Sequence, residues 1–251
     1  MQNRRGLRGL GGINHVVKVL ALSRIRFPLI LINYKTFREA TGRGAVRLAA
    51  LAEEASRKTG ICFAVAPQAV DLRLVAMSVE IPVFSQHVDP VGQGQFTGHI
   101  SPEAAVDAGC IGTLISHSER PLGLEAIEVT VRRSREVGLI PIVCADSVRK
   151  AESIASFKPD IIAIEPPELI GTGIPVSRAR PEVVSGTVQA IKRLEPGIRV
   201  LCGAGISRGG DVSAALRLGT EGVLLASGVV RAADPLGLLL ELAEGVKAVS
   251  F

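Results

Sequence analysis

Short aliphatic, often β-branched runs recur eight times along the chain, at residues 29–33, 61–66, 83–88, 112–117, 140–144, 161–165, 199–203 and 222–226. Between them lie segments with helical apolar spacing, such as Val46, Leu48, Ala49, Leu51, Ala52 and Ala55, or Ala126, Ile127, Val129, Val131 and Val137. The punctuation agrees with this parse. Ser101-Pro102 and Asp234-Pro235 each read as an N-cap followed by Pro at the first helical position. Gly60, Gly109, Gly138 and Gly219 sit where helices should stop, a few residues ahead of the next strand.

Eight βα units whose strands are continuously apolar, not alternating, imply parallel pairing covered by helices. Right-handed crossovers then leave a closed barrel or an open doubly wound sheet. The count of eight favours closure, and no G-x-G-x-x-G follows the first strand to support a dinucleotide-binding sheet. The fold class expected is α/β, a single (β/α)8 barrel over residues 27–251. An apolar share of 47% with only 3% aromatic residues suits a core of Val, Ile, Leu and Ala.

The chain carries a formal charge of +5, but the excess is local. Residues 1–26 hold Arg4, Arg5, Arg8, Lys18, Arg24 and Arg26 with no Asp or Glu, so this stretch alone is +6 and the remainder is −1. A near-neutral body argues against nucleic-acid binding. Residues 1–26 are expected to be a basic extension outside the core. No run approaches the roughly 20 apolar residues of a membrane helix. Cys62, Cys110, Cys144 and Cys202 stand apart with no CxxC pair, which reads as buried small hydrophobes in a cytoplasmic protein and not as a zinc or redox site.

Barrel enzymes place their chemistry at the carboxyl ends of the strands. There the sequence puts Asn33 and Lys35, Gln86 and His87, His117-Ser118-Glu119-Arg120, and Glu165. The segment after Glu165, Pro166 to Gly173, starts with two prolines and ends with two glycines, as a hinged lid would. Gly203-Ala204-Gly205-Ile206-Ser207 and Ala226-Ser227-Gly228 are small-residue loops after strands seven and eight, where barrels bind phosphate through backbone N–H groups.

In combination, Asn33-Tyr34-Lys35, Phe96-Thr97-Gly98, His117-Ser118-Glu119-Arg120, Ala163-Ile164-Glu165-Pro166-Pro167 and Ile170-Gly171-Thr172-Gly173 resemble the triosephosphate isomerase family. Tyr34, Pro167-Glu168-Leu169, His99 and the absence of Trp resemble its short archaeal form. The resemblance runs from about Pro28 to the carboxyl terminus. It implies interconversion of dihydroxyacetone phosphate and glyceraldehyde 3-phosphate through an enediolate, in glycolysis and gluconeogenesis, without cofactor or metal. It implies Glu165 as base, His117 as electrophile, Lys35 as the cation that stabilises the enediolate, Asn33 on the same end of the substrate, and Glu119 pairing with Lys35. Phosphate would be held at Gly171, Gly205, Ser207, Ala226 and Ser227, with Ile170 at the lid's tip. Thr97 would enter a neighbouring subunit's site, making the protein a homo-oligomer, a dimer or, as favoured in this branch, a tetramer. Two other readings compete: a phosphate-binding aldolase using Lys35 as Schiff-base nucleophile, and a barrel retained for binding alone, which would be expected to lose Glu165, His117 or Lys35.

Overall fold

A computed structural model of the chain describes residues 25–166 and 175–249. Its eight strands are β1 Leu29–Asn33, β2 Cys62–Ala66, β3 Phe84–Ser85, β4 Gly112–Ile115, β5 Ile140–Ala145, β6 Ile161–Ile164, β7 Arg199–Cys202 and β8 Gly222–Leu225. All ladders are parallel, in the order β2-β1-β8-β7-β6-β5-β4-β3. The two ends of that order meet through a parallel bridge between Val65 and Val83, and the Val65 N–H donates to Pro82 O at 3.0 Å. The sheet is thereby a barrel, as the eightfold alternation requires.

Six strands are shorter than their apolar runs, β2, β7 and β8 by a single terminal residue each. β4 stops at Ile115 because Ser116 has φ +58, which turns the chain out of the sheet before His117. β6 stops at Ile164, although Glu165 N still donates to Ala145 O at 2.8 Å. β3 retains only Phe84 and Ser85 of the run 83–88, since the Gln86 side chain departs from the strand and donates to the carbonyls of Ala66 and Lys35.

Helices follow each strand, and their sequences explain their faces. Arg43–Thr59 buries Ala45, Leu48, Ala49, Ala52 and Ala55 on one stripe, so small side chains let it lie close against the barrel. Gly60, at φ +77, ends it by donating to Ser56 O. Ser101 and Asp234 cap Pro102–Asp107 and Pro235–Lys247 through bonds to Ala104 N and Gly237 N. The helices after β2 and β3, Leu72–Ala76 and Pro102–Asp107, are short, so these two units are bound largely by loops.

Strand side chains alternate between two destinations. Leu29, Leu31, Ala64, Phe84, Leu114, Ile140, Ile142, Ile161, Ala163, Leu201 and Leu224 fill the barrel itself. Ile30, Ile32, Val65, Val143, Ile162, Ile164 and Val200 meet the surrounding helices. Each Ile or Leu buried this way contributes about 1.5–3 kcal/mol. All four cysteines are buried free thiols, in keeping with the packing role expected of them. Ile25, the first described residue, is buried against the barrel's floor.

Candidate active site

The inward-facing rows of the barrel run on past its apolar layers into polar ones. Two residues beyond Leu31, Phe84, Ala163, Leu201 and Leu224 come Asn33, Gln86, Glu165, Gly203 and Ala226. The period of a strand therefore delivers these five to one mouth. Asn33, Lys35, His117, Glu165, Ser207 and Ser227 share the walls of one cavity, open to solvent.

Glu165 is buried, and its Oε2 has no hydrogen-bond partner among the described residues. Loss of water raises its pKa above the ordinary glutamate value. His117, a hydrogen bond from the Cys144 thiol and the charge of Lys35 oppose that rise in part. Burial, and after it the charge of the same carboxylate, pushes the Cys144 thiol upward. His117 Nε2 lies 3.6 Å from the free Oε2. Gly203 sits beside Glu165 on the neighbouring strand, and a Cβ there would fall 2.7 Å from Oε1 and 2.8 Å from Cγ.

His117 is reached only because Ser116 leaves the sheet, and the Ser116 hydroxyl accepts from Leu122 N at 3.1 Å to hold the turn. The Glu119 N–H donates to His117 Nδ1 at 3.2 Å. A backbone N–H can only donate, so Nδ1 is the acceptor and the ring proton of the neutral imidazole sits on Nε2, toward Glu165.

Lys35 has φ +46, a conformation that costs a residue with a Cβ on the order of 1 kcal/mol. Side chains hold both of its peptide groups. Asn33 Oδ1 accepts from Lys35 N at 2.9 Å, and Gln86 Nε2 donates to Lys35 O at 2.9 Å. The ammonium Nζ meets Glu119 Oε1 at 2.7 Å. Lys35 is thus ion-paired beside Asn33 and His117, unlike a Schiff-base lysine enclosed by apolar side chains.

On the opposite wall, the loops after β7 and β8 touch: a Cβ on Gly228 would lie 3.2 Å from Ile206 O. Among the described residues, the N–H groups of Gly205, Ile206, Ser227 and Gly228 donate to no other protein atom, while Ser207 N donates to Asp211 Oδ2 at 3.0 Å. Unpaired backbone donors around a concavity suit an anion. No group of three His, Cys, Asp or Glu side chains among the described residues could hold a metal ion.

The expected site residues Asn33, Lys35, His117, Glu119, Glu165, Gly205, Ser207, Ala226 and Ser227 come together at this mouth, Glu119 through its bonds to Lys35 and His117. Ile170, Gly171 and the rest of the lid motif from Pro167 lie outside the described residues. Thr97 is exposed and does not line the cavity of its own chain. Gln86, which the sequence placed at a strand end without a role, clamps the Lys35 turn, and Cys144, read only as a buried small hydrophobe, donates to Glu165.

The family model for triosephosphate isomerase matches residues 28–245. The chain is 53% identical to a triosephosphate isomerase of Methanosarcina acetivorans over 215 residues, covering 86% of this chain and 97% of that protein. It is 54% identical to one from Methanocaldococcus jannaschii over 204 residues, covering 81% and 93% respectively. A Methanosarcina mazei triosephosphate isomerase is 53% identical over 215 residues. With a barrel closed by eight parallel strands and a carboxylate, an imidazole and a lysine at its mouth, the chain belongs to the triosephosphate isomerase family.

Proposed function

We propose that Glu165 is the proton-transferring base in the family's reaction, the interconversion of dihydroxyacetone phosphate and D-glyceraldehyde 3-phosphate. Glu165 takes a proton from the carbon beside the carbonyl, leaving an enediolate, and returns it to the neighbouring carbon. Burial suits it to this, because a carboxylate stripped of water is a stronger base. His117 presents Nε2–H to the substrate oxygens, and Lys35 places a positive charge where the enediolate gathers negative charge. Asn33 holds the Lys35 turn at the same end of the substrate.

One observation carries this assignment: the buried Oε2 of Glu165, without a hydrogen-bond partner among the described residues, lies beside His117 Nε2 on a cavity whose far wall offers unpaired N–H groups. The phosphate is assigned to that wall, at Gly205 on one side and Ala226-Ser227 on the other. Ser207 shapes the loop, since its N–H and hydroxyl both donate to Asp211. Gly171 and Ile170 complete the grip from the lid. A coupled assay with glyceraldehyde 3-phosphate, without added metal or cofactor, tests the reading. Absence of turnover at every temperature up to unfolding would count against it.

We further infer a homo-oligomer, with a tetramer favoured, in which loop 88–101 of one copy reaches the site of another. Its neck is tied by Asp89 N to Ile100 O and by Ile100 N to the Asp89 carboxylate, both at 2.8 Å, and it carries exposed Phe96 and Thr97 outward. A groove on the other side of Lys35, lined by Thr36, Gln68, Val70, Gln86, His87 and Arg120, has room to receive it. Exposed Val70, Leu74 and Met77 fall at i, i+4 and i+7 and form an apolar stripe at its edge. Sedimentation tests this: fully active monomer at assay concentration would rule it out. No described helix is long and apolar enough to cross a membrane, and the four free thiols suit the cytoplasm proposed as its compartment.

A further inference from the structure

We propose that Asp211, neutralised by Arg178, is a positioning residue of the phosphate grip: it decides which backbone donors of the loop after β7 remain available to the anion. The proposal rests on the assignment of phosphate to the loops after β7 and β8.

Asp211 is buried, and one of its oxygens is saturated. Oδ2 accepts from Ser207 N at 3.0 Å, from Ser207 Oγ at 3.3 Å and from Arg208 N at 3.1 Å. The next N–H along, that of Gly209, donates to Glu241 Oε1 at 3.1 Å. Along the run 205–209 the donors therefore divide sharply. Gly205 and Ile206 keep theirs free, while those of Ser207, Arg208 and Gly209 belong to the protein's own carboxylates. An anion in the cavity is confined to the upstream half of the loop, next to Ser227 and Gly228.

A helix cap alone accounts for only part of this. Asp211 is the third residue of the helix Gly209–Arg217, and its bond to Arg208 N is what an acid at that position normally makes. Capping requires neither the two bonds to Ser207, which lines the cavity, nor the partner of the other oxygen. Oδ1 meets Arg178 Nη2 at 3.2 Å, an ion pair brought from the short helix Val176–Ala179. Ser177 Oγ also donates to Asp211 O at 3.5 Å. Gly210 makes space for the guanidinium, because a Cβ there would lie 3.2 Å from Nη2. The pairing answers an electrostatic problem. A buried carboxylate bonded to a residue of the phosphate cavity would repel a dianion, and Arg178 offsets that charge while leaving the loop bonds in place.

The test compares Asp211→Ala and Arg178→Ala, reading inhibition by inorganic phosphate, the Michaelis constant for dihydroxyacetone phosphate, and the rate on D-glyceraldehyde, which lacks the phosphate. Asp211→Ala is expected to weaken phosphate inhibition and raise the Michaelis constant about tenfold or more, because losing three bonds that fix the loop outweighs removing a charge already paired with Arg178, and tighter phosphate binding would overturn the proposal. The rate on D-glyceraldehyde should fall less than about threefold, because that substrate does not use the grip. Arg178→Ala removes no cap bond and alters a largely exposed side chain, so it keeps the proposal testable if Asp211→Ala fails to fold. It should weaken phosphate inhibition about threefold to tenfold, most at low salt. Unchanged phosphate affinity in Arg178→Ala, or equal losses on both substrates in Asp211→Ala, would overturn the proposal in favour of a cap. Wild-type protein that inorganic phosphate does not inhibit at all would instead overturn the phosphate assignment beneath it.

Discussion

The backbone N–H of Glu119 donates to Nδ1 of His117 at 3.2 Å, while Nε2 of the same ring lies 3.6 Å from Oε2 of Glu165. One hydrogen bond thus decides which ring nitrogen carries the proton toward the substrate. The expected outcome is an Nε2–H tautomer in the resting enzyme, read from the ring ¹⁵N shifts of His117. His117→Gln should lower kcat by about 10²–10⁴, within the range of a lost acid–base partner, while phosphate inhibition changes little. A proton on Nδ1 would remove the basis for His117 as donor to the substrate oxygens.

Glu165→Gln should cost most of the turnover and at the same time stabilise the protein at neutral pH. Burial holds this carboxyl above its ordinary value, so the folded chain keeps its proton at pH values where the unfolded chain has released it. The penalty is absent below the unfolded pKa and grows as pH rises through the folded one. The melting temperature of Glu165→Gln should therefore exceed wild type at about pH 8 and match it near pH 4. Equal melting temperatures at both would mean that the carboxylate is better solvated than its burial implies.

Gly203→Ala probes the same carboxylate from the next strand. Its Cβ would fall within 2.7 Å of Glu165 Oε1, so the side chain must move. A displacement near 1 Å costs roughly 100-fold in rate, and kcat is expected to drop by about that with the Michaelis constant nearly unchanged. Wild-type turnover would show that Glu165 has room to retreat.

Lys35→Ala removes a charge felt by the bound substrate and by the enediolate alike, so kcat and the Michaelis constant should both worsen. Gln86→Leu keeps that charge but withdraws the amide from Lys35 O and Ala66 O, leaving a strained turn without its clamp. It should give a milder version of the same signature, about tenfold in kcat/KM, with a stability loss of about 1–3 kcal/mol from the orphaned Lys35 carbonyl, since Ala66 O keeps its bond from Tyr34 N. Kinetics indistinguishable from wild type would mean that Asn33 holds the turn unaided.

Deleting residues 1–24 is expected to leave activity and melting temperature almost unchanged, because this stretch contributes a surplus of positive charge ahead of the first strand. Extending the deletion through Ile25 should lower the melting temperature, since Ile25 is buried in the barrel's floor. A large loss from the shorter deletion would place the arm on the barrel or at an oligomer interface.

The parts of this protein that were legible in the sequence share one physical cause. A parallel strand buried on both faces reads as an unbroken apolar run, and Glu165 stood out because it ends such a run. His117 and Lys35 stood out as polar residues just past strand ends. β3 was over-read because the chain leaves the ladder at Gln86, whose side-chain amide bonds the carbonyls of Ala66 and Lys35, a choice invisible to pattern. Asp211 left no trace because an acid in a helix's first turn is ordinary, and only the bonds to Ser207 and Arg178 distinguish it. The lid motif from Pro167 and residues 1–24 of the basic arm fall outside the described residues.

The continuation of the inward rows past the apolar layers has a consequence for how such a chain can diverge. Each functional side chain on a strand has an address with only two values, inside or outside. Deleting one residue between Ile161 and Glu165 would turn the carboxylate toward the helices and bring an isoleucine into the cavity, whereas deleting two would shorten the strand and leave the carboxylate facing inward. Insertions in loops or peripheral helices leave that parity intact. The enzyme is therefore frame-sensitive across the 34 strand positions and the site residues just past their ends, and more permissive in the peripheral helices.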